Sequence, residues 1–155
     1  MDSQVLCIVK FINALKNKRY TNLLLSQSPQ NNITVRALET VCAATNLTLV
    51  NFRDEVLSVD SSIVLGGYTR SDFQELLNAY TLQRSGMLVY KADDLISTWE
   101  ASERKAFFKE FVFNGINYGP PTVLMSRTSH GIDLDPIHNR EVRVLLLDKL
   151  TSLED

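Results

Sequence analysis

The residues with the strongest claim to chemistry follow apolar runs. Asp93 and Asp94 stand side by side after Met87-Leu88-Val89-Tyr90, separated from that run by Lys91 and Ala92. A carboxylate at the end of a buried strand is how a phosphoryl-transfer site holds magnesium, and an acid there also suits the first turn of a following helix. Arg127, in Ser126-Arg127-Thr128 after Thr122-Val123-Leu124-Met125, occupies the position where a nucleotide hydrolase of this layout senses the terminal phosphate. Its alternative role is an ion pair with a nearby acid. A third stretch, Ser26 to Asn32, lies where a phosphate-binding loop would sit between strand and helix, yet it holds neither glycine nor lysine. A phosphate cradle needs glycines so that backbone N–H groups converge on the anion, and a lysine against its charge. In register with that pattern, Asn32 or Ile33 takes the lysine position, and the second alignment puts Thr34 where a magnesium-binding hydroxyl belongs. Asn31, Asn32 and Thr34 are therefore the candidate anion-binding residues, against the plainer reading that Asn31 or Asn32 caps a helix. His130, Asp133, Asp135 and His138 share one polar segment, but their spacing fits no zinc or calcium pattern, and Gly131, Pro136 and Asn139 mark it as a connection. No metal site is expected.

These positions need elements to hold them. Val5, Ile8, Val9, Ile12 and Leu15 recur at helical spacing after Ser3, predicting a helix over 3–18. Asn22 to Leu25 reads as a buried strand that ends at Ser26, followed by a helix from Thr34 and a second strand over Leu47 to Val50. Asn51 to Leu57 reads as a short helix, and 58–69 as irregular around Gly66-Gly67. Ser71 with Gln74 resembles a capping box opening a helix through Phe73, Leu76, Leu77 and Tyr80. Strand three is Gly86 to Tyr90. Ser97 with Glu100 reads as another capping box, starting a helix through Phe107, Phe108, Phe111 and Val112. Strand four, Thr122 to Met125, follows the turn Gly119-Pro120-Pro121, and strand five is Glu141 to Leu147. Strands alternating with helices predict a three-layer α/β domain with a mostly parallel five-stranded sheet, and no composition break divides the chain.

The 155 residues carry 16 Lys plus Arg against 18 Asp plus Glu, a net charge of −2, so the bulk charge gives no pull toward nucleic acid or anionic lipid. Lys16, Lys18, Arg19 and Arg36 are the one local basic set that a nucleic-acid accessory role would use. Lys10, Asn13 and Lys16 interrupt the most apolar N-terminal stretch, which predicts no membrane span and no secretory signal, with the cytoplasm as the expected location. Cys7 and Cys42 sit among apolar neighbours at helical spacing and read as reduced structural thiols. Four phenylalanines, Phe107, Phe108, Phe111 and Phe113, cannot all face one core from one helix. One side of that helix is read as meeting either a partner or a second helix.

From Asn22 to Leu147 the succession of strand, loop, helix and strand, then Met87 to Asp94, then Thr122 to Thr128 and a closing apolar strand, resembles a P-loop NTPase core of the AAA-like kind. More loosely, the small size, Asn51 to Leu57 after the second strand, and the polar segment before Glu141 to Leu147 are similar to the small P-loop protein of bacteriophage-exclusion (BREX) defence systems. The resemblance implies ATP with magnesium as the cofactor, Asp93, Asp94 and Arg127 as hydrolytic residues and other protein subunits as partners. The chain departs from the family at its first loop. The expected function is thus a catalytically degenerate P-loop-like domain, without a cofactor, acting as an interaction or assembly component, in antiviral defence by the looser resemblance. A nucleoside triphosphatase completed by a residue from another subunit is the alternative.

Overall fold

The computed structural model describes residues 3–16, 21–27, 33–57, 68–82, 86–113, 120–127 and 144–146. In order they form α1 (Ser3–Leu15), β1 (Asn22–Gln27), α2 (Val35–Thr45), β2 (Thr48–Asn51), a π-helical turn (Arg53–Leu57), α3 (Arg70–Leu82), β3 (Met87–Tyr90), α4 (Asp93–Ile96), α5 (Ala101–Phe113), β4 (Thr122–Arg127) and β5 (Val144–Leu146). The strands line up as β2-β3-β4-β1-β5. Every pairing is parallel, which sharpens the mostly parallel sheet expected from the sequence. Near-continuous apolar strands such as Leu23-Leu24-Leu25 and Val123-Leu124-Met125 suit this arrangement, because such a sheet is covered on both faces.

Alternation along the strands divides the core in two. Leu23, Leu25, Leu88, Val123 and Met125 face α1 and α2, packing with Ile8, Ile12, Leu38 and Val41. Leu24, Val50, Met87, Val89 and Leu124 face α3, α4 and α5, packing with Phe73, Leu77, Trp99, Phe107 and Phe111. Opposite faces are what right-handed crossovers require. The connection from β1 runs out to the β2 edge through α2, whereas β2 to β3 to β4 runs back through α3 and α5. Arg70, the first residue of α3, reaches Glu103 at 2.6 Å and Glu110 at 2.7 Å on α5, tying the second layer together.

Several boundaries differ from the sequence reading. The first helix ends at Leu15, with Lys16 in a turn, and 17–18 lie outside the described residues. β1 and β4 do not stop at Leu25 and Met125 but continue as partners, Ser26 opposite Ser126 and Gln27 opposite Arg127, since each strand satisfies the other's backbone. β2 runs one residue later than expected. The box that opens α3 is Thr69 with Asp72. The Asp72 N–H donates to Thr69 Oγ1 at 3.2 Å and the Thr69 N–H donates to Asp72 Oδ2 at 2.9 Å, so Ser71 lies inside the helix. Ser97 does not open the long helix. It closes α4, donating its hydroxyl to the Asp94 carbonyl at 3.0 Å, and buried Trp99 intervenes before α5. Phe107, Phe108 and Phe111 all enter one core, because α4, α3 and the sheet surround that side of α5; they offer no surface to a partner. The Phe113 side chain, the fifth strand outside 144–146, and 58–67 lie outside the description.

Gly86 sets the entry to β3. Its φ of +128° is a conformation open to glycine, and a Cβ there would lie 2.6 Å from Leu47 Cδ2 and 2.9 Å from the Pro121 carbonyl oxygen. The same carbonyl accepts from the Met87 N–H at 3.0 Å, and the Gly86 carbonyl accepts from the Thr48 N–H at 3.0 Å. The Leu47 methyl is the end of a side chain and can shift, but the Pro121 carbonyl cannot retreat without loosening its bond to Met87. Gly86→Ala is therefore expected to cost about 2 kcal/mol or more. Urea unfolding monitored at Trp99 should show a lowered midpoint with an unchanged slope.

Candidate functional site at the carboxyl ends of the strands

β1 and β4 are neighbours whose chains depart toward opposite edges, β1 toward β2 and β4 toward β5. In open parallel sheets this reversal opens a crevice beyond the carboxyl ends of the strands, the usual ligand position. The residues arriving there are Ser26 and Gln27 from β1, Ser126 and Arg127 from β4, and Asp93 from the start of α4.

Asp93 is delivered by an unusual backbone. Lys91, directly after β3, has φ of +60°, a left-handed conformation that turns the chain from the strand into α4 within two residues. The Asp93 carboxylate then crosses to β4. Its Oδ1 accepts from the Ser126 hydroxyl at 3.0 Å and from the Arg127 N–H at 3.3 Å. The Arg127 guanidinium faces Oδ2, with Nε at 3.7 Å. Asp93 and Asp94 both lie in the first turn of α4, where the plainer reading of the sequence placed an acid, and the Asp93 carboxylate also reaches across the sheet end.

Asp94 turns the other way. Consecutive helical residues diverge by about 100°, so neighbours in sequence meet different neighbours in space. Its Oδ2 takes a bidentate contact from Arg53, with Nε at 2.8 Å and Nη2 also bonded. Arg53 belongs to the π-helical turn after β2. The Asn51 N–H donates to Glu55 Oε2 at 2.6 Å, and Asn51 exchanges hydrogen bonds with Asp54 at 2.9 and 3.1 Å, fastening that turn to the strand end. Arg53 and Asp94 are 52% and 42% exposed, so water screens their pair, which contributes about 1 kcal/mol at most.

Thr34 sits at the helix end that the sequence suggested, in a capping role. With φ −77° and ψ 157° it is the N-cap of α2, accepting from the Ala37 N–H at 3.1 Å. This replaces the expectation that Asn31 or Asn32 caps the helix. Both asparagines lie outside the described residues, as do Thr128, His130, Asp133, Asp135 and His138. Among the described residues no three His, Cys, Asp or Glu side chains gather to hold a metal. Sequence reasoning passed over two members of the cluster. Arg53 carried no signal, its partner being 41 residues away. Ser26 read as the first loop residue; it is a strand residue 1% exposed whose hydroxyl has no hydrogen-bond partner among the described residues.

Of the proposed basic set only Lys16 and Arg36 lie within the described residues, and these two stand apart. Lys16 Nζ donates to the Thr45 carbonyl at 2.6 Å, at the carboxyl end of α2, while exposed Arg36 lies in its first turn, about 13 Å away along the axis. Lys18 and Arg19 lie outside the description. No helix among the described residues is long and apolar enough to cross a membrane. Cys7 and Cys42 are free thiols, and burial pushes Cys42 up to about 11. The sequence matches no protein-family model, and neither the curated proteins nor the solved structures give a significant match.

The two carboxylates differ in weight, which a pair of variants exposes. Ser126→Ala leaves a partly buried carboxylate short of a donor and should cost about 1–2 kcal/mol in urea unfolding. Arg53→Ala should cost about 0.5 kcal/mol, the scale of an exposed pair; a larger loss than for Ser126→Ala contradicts this geometry. Cys42, lacking thiolate near neutral pH, should resist a thiol-labelling reagent in the native protein and react on unfolding.

Proposed function

We propose that the chain is a catalytically degenerate, P-loop-like α/β domain that serves as an interaction or assembly component and does not turn over nucleotide. One observation carries the reading: the polar groups at the sheet end that phosphoryl transfer would require are engaged within the chain. Asp93 is held by Ser126 and Arg127, Asp94 by Arg53, and Thr34 by the first turn of α2. The first loop adds to it from the sequence, having neither the glycines nor the lysine of a phosphate cradle.

Magnesium with ATP is the cofactor that the family resemblance implies, and the residues present do not suit it. The donor atoms are of the right kind, since magnesium takes carboxylate and hydroxyl oxygens. Their charge is already balanced: two aspartates face two arginines. A metal-bound triphosphate would have to displace both arginines without a lysine to receive its terminal phosphates. An architecture of this kind retains its sheet, its crevice and its helical faces for packing against other proteins.

The reading is tested on the purified chain and on the complex recovered from cells that make it. No phosphate release from ATP or GTP is expected from either, and recovery of the associated subunits should be unchanged after nucleotide depletion. Turnover by the assembled complex that is abolished by Asp94→Ala or Arg127→Ala would overturn the reading in favour of a hydrolase completed in trans.

A further inference from the structure

We infer that Arg127 is the crevice's built-in counter-cation, standing before Asp93 where a divalent cation would otherwise be held. The inference rests on the reading of this site as non-hydrolytic and says how metal is kept out of it. Three oxygen-bearing side chains arrive at one end of the sheet, Ser26 from β1, Ser126 from β4 and Asp93 from the start of α4. Ser26 and Ser126 are direct partners across the parallel ladder, so their side chains emerge on the same face at the same level. Both are 1% exposed. Ser126 already donates to Asp93, whereas the Ser26 hydroxyl is buried without a hydrogen-bond partner among the described residues. A buried hydroxyl in that condition carries a desolvation cost that an oxygen-seeking ligand would relieve.

Oxygens of this kind, with one carboxylate and retained waters, suit a hard divalent cation. What opposes it is charge. Arg127 and Arg53 set two positive charges against Asp93 and Asp94, so the cluster sums to zero. The two pairs are not equivalent. Arg53 lies on the outer side of α4 in a pair that is about half exposed on both partners, while Arg127 faces Asp93, whose side chain is 21% exposed. Arg127 is also anchored on both sides of its Cα, its backbone N–H donating to the same carboxylate that its guanidinium faces. Removing the guanidinium leaves that backbone bond and the Ser126 bond in place. The local charge then falls to −1 beside three oxygens, and a cation is attracted where it was previously repelled.

The probe is manganese(II) alone, without nucleotide, followed by calorimetry and by the loss of the free-ion paramagnetic resonance signal. Wild-type protein should show no specific binding, and R127A should bind manganese at least about tenfold more tightly, the scale of one unit charge removed close to a carboxylate. R127K keeps the charge and should behave as wild type. Combining R127A with D93N should abolish the gained binding. Should R127A fail to unfold cooperatively, R127Q provides the same loss of charge with a polar side chain of intermediate length. Equal manganese affinity in wild type and R127A, or no gain in a cooperatively folded R127A or R127Q, overturns the inference and leaves the non-hydrolytic reading standing. Hydrolysis of ATP by the wild-type complex overturns that reading, whatever manganese does.

Discussion

The parallel pairing of β1 with β4, from Asn22 opposite Thr122 to Gln27 opposite Arg127, is the constraint on which the remaining structure depends. It inserts the first strand between the fourth and the fifth, and so forces the chain to leave β1 by a long crossover to the far edge and return strand by strand. Two helical layers follow from that itinerary, α1 with α2 on one face and α3 to α5 on the other. A buried contact anchors the pairing at its first end. The Asn22 side chain, itself buried, donates to the Phe111 carbonyl at 2.9 Å and fixes β1 against the end of α5. At the other end Ser26 and Ser126 lie side by side where the chains diverge.

That divergence explains why polar chemistry collects at this point. A strand end is the first place where side chains escape the apolar layers, and a reversal of strand order leaves no helix directly over it. Lys91 contributes by adopting a left-handed conformation that costs about 1 kcal/mol for a residue with a Cβ. The turn it makes sends Asp93 toward β4 and Asp94 toward the π-helical turn. Two adjacent acids are thereby divided between two arginines from different elements. The result is a closed set of charges at the end of a parallel sheet, two aspartates against two arginines.

Much of the fold was legible because burial imposes a period. Val5, Ile8, Val9, Ile12 and Leu15 mark α1, and Met87, Leu88 and Val89 mark a strand, whatever lies beside them. Boundaries were less legible. Ser26-Gln27 and Ser126-Arg127 are polar, so they read as loop, and only the partner strand shows why they remain extended. At α3 two capping patterns overlap with a two-residue offset, and the hydrogen bonds of Thr69 and Asp72 decide between them. For the site, the sequence pointed to Asp93, Asp94 and Arg127 from their place after apolar runs. It could not show that Asp93 meets Arg127, or that Arg53 serves Asp94, since those contacts join residues more than thirty positions apart.

The central claim, carried by the proposed reading, is that the aspartates at this end of the sheet are taken up by the chain's own arginines and that the crevice takes no nucleotide phosphate. Calorimetric titration of the purified protein with ATP, and separately with GTP, each with magnesium, tests it most directly. The account predicts no heat of binding up to about millimolar ligand, and saturable binding in the micromolar range, about −8 kcal/mol, would contradict it.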